Sequence, residues 1–183
     1  MRSMLDKVIS WMGLALALVL LVAGGLLTWA STFVADNVSE QLSMQDITMP
    51  AEADLETQEQ KDALLQYAGQ KMTTGDQAKA YADHYILVHM NASSDGKTYS
   101  EVSGEALAAN AKNPESAQAK ELMGLRQTLF MGSTLRGLLL NAYAFGTIGK
   151  IAGIAAWAAY IGAVVMLILG LLGLRHSKQV TAA

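Results

Sequence analysis

The sequence predicts an all-α membrane protein in which two transmembrane helices enclose a mainly helical extracytoplasmic domain. Three observations predict it. Uncharged apolar runs stand near each end, from Val8 to Ala35 and from Ile151 to Leu174, each longer than the roughly 20 residues that carry a helix across a bilayer. The polar stretch between them holds helix-start signals at Thr74 and Thr98 and no convincing period-2 alternation. Cysteine is absent, which removes disulfide frameworks, thiol nucleophiles and thiolate metal sites together.

The first span, residues 8–35, carries its own ruler. Trp11 and Trp29 lie 18 residues apart, about 27 Å along a helix, and indole rings favour the two interfaces of a hydrocarbon core about 30 Å thick. Residues 1–7 supply Arg2 and Lys7 against Asp6, and residues 175–183 supply Arg175 and Lys178 with no acid. The 13 basic and 16 acidic residues of the chain therefore leave nine basic against fifteen acidic in the intervening loop, a net −6. Basic flanks set orientation, so both termini are expected in the cytoplasm and residues 36–150 outside. Thr28-Trp29-Ala30 offers a small-residue cleavage site, but the run exceeds a signal h-region of about 7–15 residues, so an uncleaved anchor is expected.

Within residues 36–150, Asp36 to Leu55 is acidic and Gln/Ser-rich with Pro50 as a break, and reads as an extended stalk. Thr57 to Met72 reads as a helix carrying Leu64, Leu65, Tyr67 and Ala68. Thr74 with Gln77 forms a capping-box pattern that opens a helix with Ala78, Tyr81, Tyr85 and Val88 on one stripe, closed by Ser93-Ser94-Asp95-Gly96. Thr98 and Glu101 repeat the pattern and open a weaker helix to about Ala109. Asn113-Pro114 predicts another start, with proline at the first helical position and Glu115 near the positive end. Beyond it, Leu122, Leu125, Leu129 and Gly132 form an apolar face. Leu, Ile, Val and Phe are sparse before Leu122, so the apolar faces of the loop are expected to pack on the membrane helices or on another protein.

Between Arg136 and Arg175 lie 38 residues whose only charge is Lys150, about 57 Å of helix and too long for one crossing. Placing Lys150 at the bilayer centre costs about 2.5–3.5 kcal/mol, whereas a snorkelling interfacial lysine costs little. The second span is therefore residues 151–174. This leaves Gly137 to Gly149 as an apolar segment outside the hydrocarbon, with Leu138, Leu139, Tyr143 and Phe145 as a candidate docking patch. The span itself is rich in small residues. Gly149-x-x-x-Gly153 is a GxxxG, and Ala152/Ala156, Ala155/Ala159/Ala163 and Ala158/Gly162 continue the pattern. Gly149, Ala152, Gly153, Ala156, Ala159 and Gly162 are the candidate contacts to a partner helix, either a second copy or another membrane protein, beyond what packing on the first span uses.

No catalytic, cofactor-binding or metal-ligating set is assigned. His84 and His89 are five residues apart on one predicted helix, about 140° around the axis, where a metal pair needs a spacing of three or four. No P-loop, nucleophile elbow or HExxH occurs. Asn91-Ala92-Ser93 matches a glycosylation sequon, which matters only in a glycosylating compartment. The loop's acidity argues against nucleic acid as a partner, and the absence of charge inside either span argues against an ion path through this chain alone.

Thr73-Thr-Gly-Asp-Gln-Ala-Lys-Ala-Tyr-Ala-Asp-His84, Gly96-Lys-Thr-Tyr-Ser100 and Leu135-Arg-Gly-Leu-Leu-Leu-Asn-Ala-Tyr-Ala-Phe145 resemble stretches of small two-span membrane proteins of high-GC Gram-positive bacteria, the actinobacteria. The likeness covers roughly residues 60–170 and implies no settled activity. Some of these proteins carry an automatic label as aromatic ring-opening dioxygenases. That chemistry needs a His/His/carboxylate iron site with an open position, and the two badly spaced loop histidines do not supply it. The expectation is a noncatalytic accessory or assembly subunit of a larger plasma-membrane complex, a respiratory-chain assembly being one candidate, with the bilayer and a membrane protein or a second copy as partners. The alternative is an autonomous envelope sensor that binds a small molecule or lipid.

Overall fold

A computed structural model describes residues 2–182, with side chains from Met4 to Gln179. The flanking Arg2 side chain, part of the charge reading above, lies outside the described ones. Among the described residues six α-helices follow in order: α1 (Arg2–Met44), α2 (Gln58–Leu64), α3 (Gly75–Tyr81), α4 (Leu87–Ser94), α5 (Tyr99–Lys112) and α6 (Ala117–Ala182). A π-turn, Ala82–Ile86, joins α3 to α4 without a break. Among the described residues the only β-type pairing is an isolated antiparallel bridge between Thr48 and Lys71. The described residues are thus nearly all helical, and α1 and α6 are long and apolar enough to cross a membrane. Only 22% of the most apolar window of each is buried, unlike the core helix of a soluble protein, which hides its apolar surface.

The chain divides into two compact units, one formed by residues up to Asp36 with those from Ile148 onward and the other by Asn37–Thr147. In the first, the two helices run antiparallel along a seam of small side chains. Ser10, Ala17 and Gly24 are buried on α1, with Ser31 half-buried; Gly149, Ala156, Ala163, Gly170 and Ser177 are buried on α6. Both rows repeat every seven residues, the period that keeps one stripe of a helix facing its neighbour. The approach is backbone-close. A Cβ built on Gly13 would stand 3.7 Å from Gly170 Cα, and one on Gly24 would meet the Tyr160 ring at 2.7 Å. Hydrogen bonds cross the seam, among them one from Ser31 Oγ to the Gly149 carbonyl at 2.8 Å and one between Thr28 Oγ1 and Tyr160 Oη at 3.0 Å. In hydrocarbon such contacts replace the hydrophobic effect as the source of association.

The second unit has a core of its own, to which the long helices contribute Leu42 from α1 and Leu129 and Leu139 from α6. The core is built from Met and Ala as well as branched side chains: Leu42, Met49, Leu64, Met72, Ala78, Ala82, Val102, Ala106, Leu129 and Leu139 are all nearly sealed. Methionine bends to fill irregular gaps, and alanine lets helices approach closely. The supposed stalk is also partly helix, since α1 continues to Met44. Residues 47–49 then pair with 69–72 through Met49 N–H to Gln70 O and Met72 N–H to Ile47 O.

Capping explains most of the boundaries. Thr74 accepts the N–H of Gln77 while Gln77 Oε1 accepts the N–H of Thr74, and Thr98 with Glu101 does the same. Thr57 and Gln60 form a third such box, not anticipated above. The helix expected over residues 57–72 is short, because the chain turns at Gly69, whose φ of +69° favours a residue without Cβ. Asn113-Pro114 is not a helix start. Asn113 closes α5, and Ser116 opens α6 by accepting the Ala119 N–H at 3.1 Å. Proline therefore sits in the connecting turn, where its missing N–H is equally harmless.

Candidate functional site

The second unit gathers its polar chemistry where α3 and the π-turn meet α6. Asp83 has an 18% exposed side chain and pairs with Lys79 on one oxygen and with Arg136 Nη2 at 2.8 Å on the other. Burial pushes the Asp83 carboxyl up, but the hydrogen bonds and charges of Lys79 and Arg136 outweigh it and hold the group below its ordinary value. Lys79 Nζ also stands 5.5 Å from the centre of the Tyr143 ring, a cation–π distance. One turn before, Gly75 rests on the α6 backbone. A Cβ there would fall 2.9 Å from Tyr143 Cα and 3.0 Å from the Ala142 carbonyl oxygen. Residues 73–84 and 135–145 are thus in contact through Gly75/Tyr143 and Asp83/Arg136.

Beside this junction lies a second feature. In an α-helix residues four apart are offset by about 40°; the wider i→i+5 turn reduces that offset. Tyr81 and Tyr85 accordingly stack, their ring centres 4.9 Å apart at 25°, and Tyr85 meets the His89 ring at 4.4 Å. The buried stripe of this helix is Ala78, Ala82 and Ile86. That corrects the predicted stripe of Ala78, Tyr81, Tyr85 and Val88, whose tyrosines are only half-buried. The rings form one wall of an open cleft of about 280 Å³ completed by Ile86, Met90, Ser93, Thr128 and Gly132. Burial, and then the neighbouring Tyr85, raise the Tyr81 hydroxyl above its ordinary value, so it stays a donor.

The two histidines go separate ways. Glu59 Oε1 lies 3.2 Å from the buried His84 Nδ1 without hydrogen-bond alignment, while His89 Nδ1 lies 2.7 Å from the Tyr85 carbonyl oxygen. Among the described residues no group of three or more His, Asp or Glu gathers as a metal site.

The candidate partner-helix residues face α1 of the same chain. A Cβ on Gly149 would touch Val34 Cγ1 at 3.1 Å, one on Gly153 Ser31 Oγ at 3.0 Å, and one on Gly162 Leu20 Cδ1 at 3.2 Å. Ala156 is buried in the seam, with Ala152 and Ala159 half-buried beside it. The candidate docking patch divides in two. Leu139 is fully buried and Tyr143 is half-buried against Gly75, whereas Leu138 and Phe145 are 57% and 59% exposed. Sequence reasoning missed the Asp83–Arg136 pair, which no local spacing reveals, and the π-turn. Lys79–Asp83, at i and i+4, was a readable signal.

No protein-family model, curated protein or solved structure matches this chain. Its surfaces carry the functional reading.

Proposed function

We propose that this protein is a noncatalytic accessory subunit of a larger plasma-membrane complex, anchored by α1 and α6 with both termini cytoplasmic. The observation that carries the reading is an uncovered apolar stripe on α6. Met131, Leu135, Leu138 and Phe145 recur at spacings of four, three and seven on one face, and all four are exposed. The second unit already has a core, so this stripe is surplus to its folding, and apolar surface of this kind marks a protein contact. The small-residue seam is engaged within the hairpin, which leaves the stripe as the partner-facing element.

Leu138→Ser with Phe145→Ser tests this. Both positions are exposed, so folding stability should change by no more than about 0.5 kcal/mol each. Recovery of companion membrane subunits with a native-level tagged chain in mild detergent should fall at least tenfold. A wild-type chain that runs alone as a monomer, or a double variant that keeps every companion, defeats the proposal.

The topology is checked separately with single cysteines at Ala111 and Gln179, both exposed. An impermeant thiol reagent on intact cells should label position 111 only. Labelling at 179 in intact cells contradicts the orientation.

A further inference from the structure

We infer that the cleft walled by Tyr81, Tyr85 and His89 is a binding site for an uncharged planar aromatic molecule of one or two rings that carries a hydroxyl group. Four features fix that chemistry. The first is the row of rings, held in register by the π-turn, with centres 4.9 and 4.4 Å apart; stacked and tilted rings favour a further aromatic partner. The second is a thioether in the lining. Met90, on the same helix as His89, lies with its side chain against Gly132 of α6, where a Cβ would stand 2.7 Å from Sδ, and gives the cleft a polarizable surface.

The third feature is polarity. Among the described residues no charged side chain lines the cleft, so a carboxylate or an ammonium would lose its hydration without compensation. Ser93 and Thr128 in the lining donate their hydroxyl hydrogens to the Met90 and Gly124 carbonyls, so ligand orientation is assigned to His89 Nε2. The Tyr85 carbonyl can only accept, so His89 Nδ1, 2.7 Å away, carries the hydrogen, and neutral imidazole then leaves Nε2 as an acceptor. A ligand hydroxyl donates to it. The fourth is size. The cleft's volume of about 280 Å³ exceeds the ~150 Å³ cavity known to hold benzene and falls just below the ~300–1,000 Å³ of drug-sized pockets. π-turns, moreover, occur frequently at functional sites.

The test titrates 2-naphthol into the full chain in nanodiscs, follows its fluorescence and subtracts empty nanodiscs. One saturable site per chain is expected. Tyr85→Leu keeps apolar bulk but removes the ring, and should weaken binding at least tenfold. His89→Phe, at an exposed position where folding is not at stake, keeps a ring in the row but removes the acceptor, and should weaken 2-naphthol about fivefold and leave naphthalene unchanged. 2-Naphthoate should bind at least tenfold more weakly than 2-naphthol. A signal that never saturates above empty nanodiscs, wild-type affinity in Tyr85→Leu, or naphthalene binding as tightly as 2-naphthol would each overturn the inference.

Discussion

Gly75→Ala is expected to destabilise the Asn37–Thr147 unit by about 2 kcal/mol, roughly a 30-fold rise in its opening equilibrium. The added methyl would stand 2.9 Å from Tyr143 Cα and 3.0 Å from the Ala142 carbonyl oxygen. Both are backbone atoms of a long helix and cannot swing aside as a side-chain tip would. Gly75 begins α3 without a positive φ, so the backbone conformation itself permits alanine and the clash is the sole objection. Gly104 is the matching control. It lies inside α5 with nothing within 4 Å of a built Cβ, and Gly104→Ala should stabilise the unit by about 0.5–1 kcal/mol. Amide hydrogen exchange over α3 to α5 in the full chain measures both. Unchanged protection in Gly75→Ala would mean that α3 does not rest on α6.

The second large effect belongs to Asp83. Asp83→Ala leaves Arg136 and Lys79 facing one another across a half-buried junction, at a cost of about 2 kcal/mol once partial exposure is allowed for. The pair also gives the unit an acid limit. Asp83 is held below its ordinary value by the two cations despite burial, so its contribution is fully present above the unfolded carboxyl value of about 3.9. It is lost as pH falls through the lower folded value. Stability of the wild-type unit should therefore decline with acidification across that window, and Asp83→Asn should flatten the decline while lowering stability at neutral pH. An identical pH profile in the two proteins would show that Asp83 does not set it.

What could be read from residue order was local or periodic. A Thr with Gln or Glu three places on closes its own hydrogen bonds, so the starts of α3 and α5 were legible at Thr74 and Thr98. Long uncharged runs named the two helices that can cross a membrane, because only a helix satisfies its own backbone there. Signals whose meaning depends on a neighbour were less legible. The GxxxG at Gly149 and Gly153 is present, yet the buried row runs Gly149, Ala156, Ala163, Gly170 and Ser177, a seven-residue repeat that only the opposing Ser10, Ala17 and Gly24 make meaningful. The docking patch shows the same limit. Leu138, Leu139, Tyr143 and Phe145 look alike as an apolar run, and the helix's packing decides that Leu139 enters the core while Leu138 and Phe145 stay outside.

The sequence by itself determined an all-helical chain with two helices long and apolar enough to span a bilayer, and a cysteine-free polar middle with defined helix starts. Tertiary structure alone decided that this middle owns a Met- and Ala-rich core, that Asp83 meets Arg136 across 53 residues, and that a π-turn aligns Tyr81 with Tyr85. The reason is physical. Capping and hydropathy act within one or two helical turns or along one helix, whereas burial, ion pairing and helix phase depend on which surface arrives opposite.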